Sequence, residues 1–416
     1  MTRVAPDPYR LLFPLGILFG LLGAAVWPLH ALGLIPYPGQ LHWTLMIQGF
    51  QHCFILGFLL TAMPSFLHAE RCKPIELLIA VVCMAGFGLF SLAGWPVAAQ
   101  ALYVASLALV ASMAARRFRR EEPPPEEFLL AAFGLAMGMA GGLTSLAVSA
   151  GWLREPAPRF GLHLISLGMV LTLVLGVGSL LVPTFSAMKD PLVIPGLAKP
   201  HERKPRRILY ASLGTLLVAA LALEALGHSV AAAWLRTVVG SIVLLWVWKI
   251  LRRPGVKDLL SYCLWIAGWM ILAGLWTAAI LSGKSLVGYH LVFIGGFGLL
   301  TLGIGTRVVV RHGRHPLEAE GRVLRTGVVM ALGLTLVARV AAESGPARLL
   351  TLLGVSGTSW IVAWLTWGAG AAGYIRRVKP AAPQPFPAPV AAASTGVRLQ
   401  PPGGAASPPT SSPRSS

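Results

Sequence analysis

Long apolar runs, each broken by a short cluster of charge, proline or glycine, set the rhythm of this sequence. Twelve come close to or exceed the ~18 residues that carry a helix across the ~30 Å hydrocarbon core of a bilayer. They cover roughly 11–33, 41–66, 75–93, 96–115, 127–152, 160–186, 207–226, 229–252, 259–282, 287–311, 323–343 and 347–375. Pro14, Pro28 and Pro183 fall inside or near the ends of these runs, where neighbouring helices can satisfy the freed backbone groups. No cleavage-site pattern follows the first run, so it reads as a helix rather than a signal peptide. Past Lys379 the pattern stops. The stretch "PAAPQPFPAPVAAASTGVRLQPPGGAASPPTSSPRSS" has too little periodic apolar surface to fold and is expected to be disordered. The predicted plan is a twelve-helix transmembrane domain over 1–379 and a Pro/Ala/Ser-rich cytoplasmic tail over 380–416.

Composition agrees. The chain is 56% hydrophobic and only 12% charged, with a mean hydropathy of +0.72, and soluble domains carry about twice that share of charge. The class is an all-α polytopic membrane protein whose first partner is the lipid bilayer. Its net charge of +19 is therefore no sign of nucleic-acid binding; the placement of the charges matters more. Loops after even-numbered spans, with the two span-flanking termini, hold twenty-five Lys and Arg, including "RRFRR" (116–120). The opposite loops hold four: Arg154, Arg159, Lys284 and Arg348. The positive-inside rule then puts both termini in the cytoplasm.

Internal repetition follows from glycine. Span two reads Thr44-x4-Gly49-x7-Gly57-x6-Pro64, span six His163-x4-Gly168-x7-Gly176-x6-Pro183, and span ten His290-x4-Gly295-x7-Gly303 with Val310 in the proline's place. A recurrence every fourth helix suggests three four-helix units in parallel orientation. All three spans run inward, so His42, His163 and His290 are expected at similar depth, within about two turns of the outer boundary. His52 lies about 15 Å deeper than His42 on a face rotated by roughly 80°, so one helix cannot present both to one metal.

Imidazole within a membrane is costly and usually functional, and it is the commonest transition-metal ligand. His42, His52, His163 and His290 are the candidate metal ligands; hydrogen bonding to a neighbouring helix's carbonyl is the structural alternative for each. Cys53, Cys72, Cys83 and Cys263 form no C-x-x-C pair, so neither an iron–sulfur cluster nor covalently attached haem is supported. Haem held by histidine nitrogens alone, or histidine-bound copper, stays open. His68, His201, His312 and His315 read as solvated loop residues. Arg236, about two turns into span eight, calls for an anion such as a haem propionate or for snorkelling to the headgroups; Arg307 reads as snorkelling.

The segments "GFLLTAMPSF" (57–66), "LVPTFS" (181–186) and "TLGIGTRVVVRHGRHPL" (301–317) resemble hallmark segments of the NnrS family. Those are twelve-span bacterial inner-membrane proteins described as containing b-type haem and copper and associated with relief of nitric-oxide stress. The resemblance covers about residues 9 to 375. His42, His163, His290 and His312 stand where that family is expected to carry histidines. The chain departs from the family at span two, which reads His42-Trp43-Thr44-Leu45-Met46 rather than H-x-H-E-M, and Leu180 replaces an expected arginine. The twelve-helix plan is also similar to the haem–copper oxidase catalytic subunit, although the copper-binding pair of span seven is missing from "LYASLGTLLVAALALEAL" (209–226).

The resemblance implies haem b, with copper as a second cofactor, at the bacterial inner membrane. His290 would be one axial ligand, His42 or His52 the other, Arg236 a cofactor contact, and His163 a second metal ligand or a group facing a small gas such as nitric oxide. An electron donor would be needed for turnover, and no acid–base pair for reduction is evident. The competing class is a secondary transporter without haem; against it, the midplane lacks Asp and Glu and the repeat is neither inverted nor two-fold.

Overall fold

The computed structural model describes residues 7–66, 70–117, 124–186, 200–282 and 285–377. The expectations for His68, for part of the "RRFRR" loop and for the tail 380–416 fall outside these residues; so do the side chain of His201 and the basic residues of 187–199. Among the described residues there is no strand, as expected where lipid offers the backbone no hydrogen bonds and each segment must satisfy its own.

Among the described residues twelve helices are long and apolar enough to cross a membrane: α1 (Tyr9–Ala31), α2 (Gly39–Ala62), α3 (Pro74–Leu92), α4 (Pro96–Arg117), α5 (Phe128–Ser149) and α6 (Ala157–Phe185), then α7 (Arg203–Ala225), α8 (Ser229–Val247), α9 (Leu259–Ile280), α10 (Ser285–His312), α11 (Thr326–Ser344) and α12 (Leu349–Arg376). Local chemistry sets several starts. Asp258 caps α9 by accepting from the Ser261 N–H at 2.6 Å, and the Glu76 carboxylate accepts from the Lys73 N–H at 2.8 Å where Pro74 opens α3.

The helices pair with a period of four. α1 packs on α2, α5 on α6 and α9 on α10; α3 packs on α4, α7 on α8 and α11 on α12. The units join in the same way each time: α4 meets α5, α8 meets α9, and α12 closes the ring onto α1. The glycine recurrence in α2, α6 and α10 marks the innermost helix of each unit. In their most apolar stretches 83%, 89% and 67% of residues are buried, against 56% or less in the other nine.

Two glycine seams fix the entry of these inner helices. A Cβ on Gly288 of α10 would lie 2.5 Å from Gly274 O and Ala278 N of α9, and one on Gly141 of α5 would lie 3.0 Å from Gly161 O of α6. Side chains there would force the backbones apart, so small residues let the pairs close up. Just past these seams, and at the matching place in α2, the inner helix widens. Thr44–Gln51, Leu164–Val170 and Leu291–Gly298 are π-helical, a geometry that is rare and concentrated at functional sites.

Candidate functional site

The widened turns begin at or beside histidines: His163 and His290 directly precede theirs, and His42 lies two residues before Thr44. All three line one cavity of about 660 Å³ at the end of the bundle where α2, α6 and α10 begin. That volume suits a sizeable small-molecule ligand, since such pockets span about 300–1,000 Å³. Its deep walls are aromatic, with Phe50, Phe293, Phe297 and Trp360, while exposed Tyr37 and Arg159 stand at its mouth.

Each imidazole is anchored through the same atom. His42 Nδ1 lies 2.7 Å from Gly23 O, and His290 Nδ1 lies 2.8 Å from Leu286 O. A carbonyl oxygen only accepts, so in both rings the proton sits on Nδ1 and Nε2 carries the accepting lone pair. His163 Nδ1 is bound to the Glu224 carboxylate, so there too Nδ1 carries a proton. The ring of His42 is further wedged edge-on against Trp27, centroids 5.5 Å apart. A histidine whose Nδ1–H is held by a carbonyl or carboxylate, with Nε2 facing a cavity, is the arrangement that orients metal-binding imidazoles.

The chamber's charges are paired. Arg236, buried, lies 2.5 Å through Nη1 from Glu224, so Glu224 bridges a histidine and an arginine. Tyr289 stands edge-on to His163 at 5.9 Å. Arg339 donates from Nε to His290 Nε2 at 3.2 Å and from Nη1 to Glu343 at 2.7 Å. Cations this deep persist only with such partners.

His52 goes elsewhere. It is buried on the face of α2 turned to α4, with Nε2 2.9 Å from Ser106 Oγ and its ring 4.8 Å from Tyr103. Ser106 gives its own proton to Tyr103 O at 2.7 Å, so His52 is the donor and carries its proton on Nε2. The π-helical stretch Thr44–Gln51 intervenes between His42 and His52, and its wider turn shifts every face downstream from where a regular helix would put it.

Among the described residues no three His, Cys, Asp or Glu side chains gather as a metal cluster would require. The candidate ligands thus divide into His42, His163 and His290 around the chamber and His52 apart from it. Arg236 has a protein anion in Glu224. Two further readings change. Arg307 does not snorkel: its Nε lies 2.5 Å from Glu320 Oε1, and its guanidinium sits 4.7 Å over Phe185. His315 is not a solvated loop residue but a buried one, bound to Tyr374 O at 3.2 Å. His312 closes the far end of α10, 6.4 Å from the Tyr9 ring.

Arg339, Glu224 as a bridging carboxylate, and Tyr289 escaped the sequence reading. A signal for Arg339 existed: Glu343 follows it by four residues, one turn along the same helix face. Another was Gly-x-His, present as Gly161–His163 and Gly288–His290, which ties each ligand candidate to its glycine seam.

Fold and site define a polytopic membrane protein with a histidine-lined chamber enclosed by three repeated helix units. Over residues 3–378 the chain matches the family model described as NnrS protein. It belongs to the NnrS family. Comparison with curated proteins and with solved structures finds no match, so the likeness to haem–copper oxidases is not among the findings.

Proposed function

We propose that this chain is a haem-binding protein of the nitric-oxide response, with its chamber at the periplasmic face of a bacterial inner membrane and both termini in the cytoplasm. One observation carries the reading: three imidazoles from α2, α6 and α10, each held at Nδ1, line a common chamber. The donor set fits b-type haem. His42 and His290, on different inner helices, would hold the iron through Nε2, and Arg339, released from His290, is the cation beside which a carboxylate of the group would settle. When bound, the group supplies an iron centre able to take a diatomic gas.

The chain's own residues do the rest. Gly23 O and Leu286 O hold the ligand rings in one tautomer and orientation. Arg339 occupies His290 Nε2 and must leave it for a metal, which frees a guanidinium for an anion. Phe293, Phe297 and Trp360 exclude water and admit a small neutral molecule such as nitric oxide from lipid. His163, kept in place by Glu224, faces the gas or holds copper as a second ligand. Binding and scavenging is the activity this supports; reduction would require an electron donor.

The test is the absorption spectrum and metal content of the detergent-purified full chain after haem-replete expression. A Soret band is expected in the wild type and in His52→Ala, and its loss in His42→Ala and His290→Ala. A colourless wild-type protein would overturn the reading and favour a transporter.

A further inference from the structure

Farther along α2, α6 and α10, past the π-helical turns, lies a second cavity of about 80 Å³, to which α1 contributes Phe13. Gln51 and Phe297 line both this pocket and the chamber, so a single layer of side chains separates them. Phenylalanine, leucine, isoleucine, valine and glycine make up the walls, and only Gln51 and Thr301 bring polar side chains. Those two are engaged with each other, Gln51 Nε2 donating to Thr301 Oγ1 at 3.3 Å.

A buried water needs two to four polar partners, whereas apolar cavities stay dry. This pocket has about half the volume of the ~150 Å³ engineered cavity that takes up benzene or xenon. Water is thus disfavoured by chemistry, and a porphyrin by size. Half-buried Ile55, Phe58, Val174 and Val177 leave the pocket open on one side, where a neutral, weakly polar molecule of two or three atoms dissolved in lipid can enter. We propose that the pocket is a docking station for such a gas molecule between the lipid interior and the chamber. Its role in feeding the chamber rests on the haem reading above; its occupancy does not.

The deciding measurement is diffraction from xenon-pressurised crystals of the full chain, with Val177→Phe and Val174→Phe as pocket-filling variants. Both side chains line the pocket and are half-buried. Xenon is expected beside Val177 and Phe297 in the wild type and is expected to vanish in whichever variant keeps wild-type helicity and thermal midpoint. In haem-loaded protein the same variant should slow carbon monoxide association after flash photolysis several-fold. Absence of xenon from the pocket, or ordered water or an acyl chain in its place, overturns the docking site. Xenon binding with unchanged association rates overturns the route to the chamber. A colourless chain that still binds xenon would sink the haem reading alone, so the two failures are distinguishable.

Discussion

His42 and His52 sit ten residues apart on one helix and have been put to opposite uses. His42 carries its proton on Nδ1, locked by Gly23 O, and offers Nε2 to a chamber. His52 carries its proton on Nε2, locked by Ser106, inside a closed seam with Tyr103. The same seam holds Gln48 and Gln100, which exchange hydrogen bonds at 2.8 and 2.9 Å. In the seam, Gln48 pairs with Gln100 and His52 with Ser106, which ties α2 to α4. In the chamber, His42, His163 and His290 are each fixed at Nδ1 beside open space, and Arg339 reaches His290 Nε2. A buried histidine therefore points to chemistry only when its second nitrogen has somewhere to go.

The sharpest way to break this contrast is to exchange the two histidines' fates. His42→Ala should remove essentially all bound haem, while His52→Ala should keep the spectrum and lose only stability; equal spectra would erase the distinction. Next in size is Glu224→Ala, which strands Arg236 and releases His163. Removing one partner of a buried ion pair costs about 3–5 kcal/mol, read as a lower thermal midpoint in detergent. Replacing Arg236 by Leu as well should recover much of that loss.

Smaller is Gly288→Val, whose Cβ meets Gly274 O and Ala278 N at 2.5 Å and must shift α10 beside His290. A cost of about 1–3 kcal/mol is expected for such overpacking, with weakened haem retention. Gly354→Ala on α12, with nothing within 4 Å, should stay within about 0.5 kcal/mol of wild type.

In the seam, Ser106→Ala leaves the His52 Nε2–H without its acceptor and should cost about 1–3 kcal/mol. Histidine-selective nitrogen NMR should show His52 alone perturbed, with the chamber imidazoles unmoved. Smaller still within the seam is Gln48→Leu, at about 0.6–2 kcal/mol for an interhelical hydrogen bond in a membrane. Adding Gln100→Leu should restore part of it, since the stranded amide is then gone. Full additivity of the two would mean that the glutamines do not act as a pair.

Much of the architecture was legible beforehand because bilayer thickness acts on every crossing in the same way. All twelve crossings lie within a few residues of where the apolar runs put them, and the glycine recurrence in α2, α6 and α10 picks out the three most enclosed helices. The site was legible only in part. His163 and His290, matched in the repeat, stand together at the chamber. His52 was expected on another face than His42, and it lies apart from the chamber; nothing in "TLMIQGFQ" announces the π-helical turn between them. Arg307 and His315 were assigned to water, yet each has a buried partner, Glu320 and Tyr374, brought in from a later segment of the chain.

Sequence alone determined the class, the number of crossings, the repeat and the residue types that bear chemistry. Each of these follows from composition and spacing along one strand of chain under a solvent that penalises every unsatisfied backbone group. Tertiary structure decided which nitrogen of each imidazole is free, which anion neutralises Arg236, and that a hollow exists at all. Those outcomes depend on side-chain and carbonyl partners that only the packed bundle brings into place, and on helix widening that it alone makes visible.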